Sequence, residues 1–180
     1  METFFAWEWH FLDFLQQSVR TPWLDVVMKV ITTLGNGGIL WIVTAVVLLF
    51  FRRLRPTGIL MLLSLLSGLI VGNLFLKNVV ARPRPCWIKP EVNLLIEMPT
   101  GYSFPSGHTM SSFAGGTALA LGDKRAAPGA LLLAALIAFS RLYFYVHFPS
   151  DVFVAALLGV GLACLWHFTL NKRLENILCK

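Results

Sequence analysis

Three short stretches hold most of the side chains that could do chemistry: KNVVARPRP at 77–85, PSGH at 105–108 and SRLYFYVHFPSD at 140–151. The third carries Arg141, His147 and Asp151 between two apolar runs, 127–146 and 150–170. An arginine at mid-helix depth in a membrane costs about 2.5–3.5 kcal/mol on insertion scales, so Arg141 should have a partner or a function. Pro149 suits a helix start, which places Asp151 in the first turn and His147 just before it. A carboxylate there can orient an imidazole. Hydrogen-bonded to Asp151 through one ring nitrogen, His147 would present the other as a nucleophile or base, and His108 could donate a proton.

In PSGH, Pro105 fits a first helical turn and Gly107 permits close backbone approach. The first amides of a helix lack intrahelical partners and sit at the positive end of its dipole, so Ser106, Gly107 and His108 can together cradle a phosphate. In KNVVARPRP, Arg82 falls between Lys77 and Arg84, and Pro83 and Pro85 impose an extended path that can fold these cations over a pocket. Taken singly, each stretch has a structural explanation: a serine cap, snorkelling cations, a structural histidine. Together they set Lys77, Arg82, Arg84, Lys89 and Arg141 against the acids Glu91, Glu97 and Asp151. An anionic ligand would relieve that repulsion, and forked guanidinium groups with a compact ammonium suit phosphoryl oxygens better than a monovalent anion.

The elements that position these residues are read from the apolar pattern. Of the 180 residues 57% are hydrophobic and 13% charged, and mean hydropathy is +0.71, which excludes an ordinary water-soluble domain. At about 20 apolar residues per crossing, the length allows about five or six spans. The expected fold is all-α: one membrane-embedded unit over 1–180, a polytopic bundle of about six helices with an interfacial helix over 1–20. Residues 22–51, broken by GNGG at 35–38, read as a helical hairpin or a kinked helix. Further runs cover 57–76, 105–122, 127–146 and 150–170, and 77–104 is the one sizeable loop. Gly68 with Gly72, and Gly115 with Gly116, suit close helix packing. No cleavable leader is expected, since Glu8, His10 and Asp13 interrupt the N-terminal stretch.

The net charge of +6 is informative through its placement. If the later runs alternate, Arg52, Arg53, Arg55, Lys124, Arg125, Lys172, Arg173 and Lys180 share one side, which the positive-inside bias makes cytoplasmic. The three chemical stretches then face outward, and the partners expected are the bilayer and a phosphoryl group, which the resemblance below makes that of a lipid phosphate, not nucleic acid. Cys86, Cys164 and Cys179 are widely spaced, read as unpaired and suggest no metal site.

In order and spacing, the stretches resemble the signature of the phosphatidic acid phosphatase type 2 superfamily: Lys-x6-Arg-Pro, then Pro-Ser-Gly-His, then Ser-Arg-x5-His-x3-Asp. They match here as Lys77 to Arg84-Pro85, Pro105 to His108, and Ser140-Arg141 to His147 to Asp151. The resemblance implies that His147 attacks phosphorus to give a phosphohistidine, that Asp151 orients it, and that His108 protonates the leaving oxygen. Lys77, Arg84, Ser106, Gly107 and Arg141 would bind the phosphate. Arg82 lies outside the pattern and reads as an extra phosphate contact, with a second phosphate of a diphosphate as its target. No metal or other cofactor is implied. The compact chain is similar to bacterial members acting on undecaprenyl diphosphate or phosphatidylglycerol phosphate, with phosphatidate and lipid A phosphate as alternatives. Soluble vanadium haloperoxidases share the motifs, but a chain made mostly of membrane span disfavours peroxidase chemistry. A non-enzymatic anionic-lipid transporter would use the cations but has no need of the histidine pair.

Overall fold

The computed structural model describes residues 6–178, with side chains through residue 169. Among these residues every regular element is a helix, and there is no strand. Helix α1, Ala6–Phe14, runs on through a π-helical turn, Leu15–Val19. Helix α2, Pro22–Leu34, starts with its proline in the first turn, where the missing N–H costs nothing. A 3-10 turn at Asn36–Gly38 joins it to α3, Ile39–Leu49, and the pair is bent by 42°. Residues 22–51 thus form a kinked helix and not a hairpin. Gly37 and Gly38 stand at φ +59° and +67°, a left-handed backbone that glycine adopts without steric cost.

Helix α4, Arg55–Gly68, continues through a π-helical stretch, Leu69–Leu76, into α5, Lys77–Val80. Ala81 turns left-handed and ends it, the chain runs extended to the short α6, Pro85–Ile88, and an irregular segment leads to α7, Gly107–Gly122. Helices α8, Ala127–Tyr143, and α9, Pro149–Leu178, complete the bundle. The run expected to reach residue 146 stops at Tyr143. Tyr145 is left-handed at φ +60°, unfavourable for an L-residue. Its ring is wholly buried and its hydroxyl donates to Asp13 Oδ1 on α1 at 2.5 Å, so tertiary contacts hold the turn.

Helix α7 is the axis of the bundle and packs against α3, α4, α8 and α9. Its small residues make this possible. A Cβ on Gly115 would lie 2.8 Å from the Trp41 ring, and one on Gly116 would lie 3.2 Å from the Ala130 carbonyl oxygen. Gly68 and Gly72 likewise make room for Met110. Trp41, Ala45, Met61, Ala118, Ala134 and Ile137 fill the core around it, and Trp41 Nε1 donates to Ser112 Oγ at 3.1 Å.

The outside of the bundle is as apolar as the inside: Trp23, Val30, Phe50, Phe75, Phe153 and Phe168 are all exposed. Such a belt suits lipid, and a water-soluble protein would bury it. Arg55–Ile88 and Pro149–Thr169 are long and apolar enough to cross a membrane, and the bent α2–α3 pair makes a third such span. With 16 and 17 residues, α7 and α8 extend only about 24–26 Å. Cys86 and Cys164 are free thiols, while Cys179 and Lys180 lie outside the described residues.

Candidate active site

The start of α7, the α8–α9 turn and the cationic end of α5 meet at one end of the bundle. Between them lies a cavity of about 710 Å³, bordered at its polar end by Lys77, Arg84, Gly107, His108, Arg141 and His147. It continues between α3 and α4 along Ile42, Leu62, Leu65, Leu66 and Leu69. One continuous space therefore joins a cluster of cations and histidines to an apolar groove.

His147 is 1% exposed, and its proton can be placed from its neighbours. Arg84 Nη1 lies 3.1 Å from His147 Nε2. A guanidinium only donates, so Nε2 must accept and the proton sits on Nδ1. Nδ1 faces Ser103 Oγ at 3.4 Å and Asp151 Oδ2 at 3.8 Å. The second distance exceeds a hydrogen bond. Ser103 lies between them and donates to Asp151 Oδ2 at 2.5 Å, so Asp151 reaches the imidazole largely through this hydroxyl. The Phe148 N–H also donates to Oδ2, at 2.9 Å. Burial holds the His147 imidazole at a pKa of about 3; Arg84 and Arg141 push the same way and Asp151 opposes them. At neutral pH the ring is uncharged and Nε2 keeps its lone pair.

Arg84 is fixed by donating from Nε to the Gly101 carbonyl at 2.8 Å and from Nη1 to the Val146 carbonyl at 2.9 Å. Arg141 donates from Nη1 to Thr32 Oγ1 at 2.6 Å, and its buried Nε has no partner among the described residues. Neither they nor Lys77 make an ion pair with a carboxylate among those residues. Three cations, two of them more than nine-tenths buried, thus border an apolar-walled space. That arrangement suits an anion.

Two residues expected at the phosphate do not border the cavity. Arg82, read as an extra phosphate contact, is one. Its guanidinium donates to Glu8 Oε2 and Asp151 Oδ1, each at 2.6 Å, and to Ser150 Oγ at 2.7 Å, and it stacks over the Phe148 ring. Two carboxylates outcompete a cavity for that cation. Ser106, expected in the phosphate cradle, is wholly buried: its N–H donates to the Asp151 carbonyl at 3.3 Å and its Oγ accepts from Thr109 Oγ1 at 2.9 Å. It caps α7 and ties it to α9, leaving Gly107 and His108 to border the cavity.

Helix α1 supplies groups that motif spacing did not reveal. Glu8 is wholly buried and also accepts from the Ser150 N–H at 2.9 Å, capping α9 from another helix. Asp13 pairs with Lys89 at 2.9 Å. The cation excess at this end is therefore smaller than a count of nearby sequence suggests, and what remains is concentrated on Lys77, Arg84 and Arg141. Ser103, in the same stretch as PSGH, was the one missed group with a local clue. Glu8 had none.

Comparison with known proteins gives the family. The family model described as PAP2 superfamily matches residues 57–175. The chain belongs to that superfamily. An undecaprenyl-diphosphatase of Sulfolobus acidocaldarius is 35% identical over 126 residues, 69% of this chain and 61% of that protein. Phosphatidylglycerophosphatase B of Bacillus subtilis is 32% identical over 155 residues, 79% of this chain and 73% of that protein. The crystal structure of a transmembrane PAP2-type phosphatidylglycerolphosphate phosphatase from Bacillus subtilis superposes with a TM-score of 0.78 at 26% identity, covering 96% of this chain and 88% of that one. The first of these relatives is thus matched over about three-fifths of its own length. Within the PAP2 superfamily the chain is membrane-embedded, and Lys77, Arg84, His108, Arg141 and His147 at the polar end of the cavity lie inside the matched region.

Proposed function

We propose that this PAP2 protein is a metal-independent lipid phosphatase that hydrolyses the phosphate or diphosphate of a membrane lipid through a phosphohistidine. The observation that carries this is the unprotonated Nε2 of His147, a residue that borders the cavity, with Arg84 donating to it, Arg141 on the same cavity and an apolar groove leading away. In the first step Nε2 forms a bond to phosphorus while the bond from phosphorus to the leaving oxygen breaks. The electron pair goes to that oxygen, which takes a proton from His108. Nδ1–H gives the phosphorylated ring positive charge, which Ser103 and Asp151 stabilise. Water then attacks the same phosphorus, His108 takes the water's proton, and phosphate leaves with Nε2 regenerated. Lys77, Arg84, Arg141 and the first amides of α7 hold the charge that spreads over the phosphoryl oxygens, the task magnesium performs in many phosphoryl-transfer sites.

The relatives named above make undecaprenyl diphosphate and phosphatidylglycerol phosphate the first substrates to try, with phosphatidate and lipid A phosphate next. The basic residues Arg52, Arg53, Lys124 and Arg125 sit at the opposite end of the bundle, which by the positive-inside bias supports an outward-facing site.

The test is phosphate release from detergent-solubilised lipid phosphates. His147→Ala should abolish turnover, at least about 10⁴-fold, while keeping its elution volume and melting temperature. Activity should survive EDTA and fall with orthovanadate, which adopts the pentacoordinate geometry of the transition state. Full activity of a folded His147→Ala protein would overturn the mechanism.

A further inference from the structure

We propose that the GNGG bend between α2 and α3 is a positioning element for His108, with Asn36 as its acting residue. Asn36 Oδ1 lies 2.9 Å from His108 Nε2. An amide oxygen only accepts, so this contact keeps a proton on Nε2 and fixes the plane of the ring. The rest of the motif serves that contact. A Cβ on Gly35 would stand 2.8 Å from His108 Cδ2 and 2.6 Å from Ile137 Cγ2, so only glycine lets the bend close on the ring. Gly37 and Gly38 take left-handed backbone, and a Cβ on Gly38 would stand 3.3 Å from Ser111 Cβ. A bend made only for packing has no need of an amide oxygen on the imidazole.

The inference rests on the proposed role of His108 as proton donor to the leaving oxygen. The groups that share the cavity with its ring are the cations Lys77, Arg84 and Arg141, together with His147. Those cations disfavour a charged ring until the phosphate of a bound substrate offsets them; an accepting oxygen on Nε2 then supports the charged ring that a donor must pass through, whose Nδ1–H delivers the proton. When the leaving oxygen takes that proton with the bond's electron pair, the ring returns to its neutral Nε2–H form, still held by Asn36. Asn36 touches neither phosphorus nor the leaving oxygen and is a positioning residue.

Leaving-group chemistry tests this. An alkyl phosphate ester expels a basic alkoxide that needs a proton, whereas 4-nitrophenyl phosphate expels a stabilised phenolate that does not. Asn36→Ala should lower kcat on a long-chain alkyl phosphate by at least about tenfold and on 4-nitrophenyl phosphate by less than about threefold, with little change in KM. Asn36→Asp, which keeps the accepting oxygen, should stay within about threefold of the parent on both. If Asn36→Ala does not fold, Asn36→Ser, too short to reach the ring, should show the same split. Equal losses on the two substrates, or none, overturn the inference. His108→Ala, run in parallel, separates the two failures. If it shows the split and the Asn36 variants do not, only the role of Asn36 is lost; if it shows no split, the role of His108 as acid fails, and that of Asn36 with it.

Discussion

At the scale of single residues, the site depends on which nitrogen of His147 holds its proton. Arg84 fixes Nε2 as acceptor from one side, and Ser103 receives Nδ1–H from the other. Ser103→Ala would leave Nδ1–H facing a carboxylate oxygen 3.8 Å away, beyond hydrogen-bonding distance. A buried donor without a partner costs about 1–3 kcal/mol, and part of that falls on the phosphorylated state, where the ring is charged. Ser103→Ala should therefore lower kcat by about tenfold with KM nearly unchanged, as steady-state kinetics on one lipid phosphate would reveal. A change in KM alone would assign Ser103 to substrate binding instead. The residues legible in the sequence, His147, Asp151, His108, Lys77, Arg84 and Arg141, were those whose type and local spacing carry the chemistry. Ser103 meets Asp151 across 48 residues, Asn36 meets His108 across 72 and Glu8 meets Arg82 across 74, so no local pattern could pair them. The surroundings of Arg82 were hidden for the same reason: its cation was visible, but Glu8, wholly buried on α1, was not.

At the scale of elements, the apolar runs gave the helices, while their ends and bends came from tertiary contacts. A tyrosine in left-handed backbone has no sequence signal, so the early end of α8 could not be foreseen. Glycines were legible as packing residues, though not as to which partner each one faces. Gly159 on α9 is the most demanding: a Cβ there would lie 2.7 Å from the Met110 carbonyl oxygen and 2.9 Å from the Ala114 nitrogen, backbone atoms of α7 that cannot rotate away. Gly161, two residues on, has nothing within 4 Å. Gly159→Val should cost about 1–3 kcal/mol or more by forcing α9 from α7, and it should lower activity because α9 carries Asp151. Gly161→Ala should be neutral or stabilising by up to about 1 kcal/mol through helix propensity. Thermal melts of the two variants in one detergent make the comparison, and equal melting temperatures would mean that α7 and α9 are less tightly joined than the structure has them.

At the scale of the whole molecule, the bundle is a wedge open toward lipid. Helices α3 and α4 touch near their cationic ends, where a Cβ on Gly58 would stand 2.6 Å from the Ala45 carbonyl oxygen. Toward the other end the cavity continues between them, bordered by Ile42 from α3, by Leu62, Leu65 and Leu66 from α4 and by Leu69 at the start of the π-helical stretch. Ile42, Leu66 and Leu69 are 41%, 53% and 47% exposed, so the groove they border is open rather than sealed. A lipid could thus keep its tail in the bilayer while its phosphate reaches His147, without leaving the membrane. This layout predicts a selective effect for a bulky residue at the opening. Leu66→Trp adds ring volume where the groove meets lipid and disturbs little of the core, since the parent side chain is half exposed. It should lower kcat/KM for a long-chain lipid phosphate by about tenfold, equivalent to about 1.4 kcal/mol of lost tail contact, through KM more than kcat. Hydrolysis of a short-chain, water-soluble phosphate ester should stay unchanged, because its tail does not occupy the groove. Phe50→Trp, at a position 79% exposed near the opposite end, is the control for adding indole to the lipid-facing surface. Equal losses on long and short substrates would place the damage at the phosphate site and remove the groove as the path of the tail.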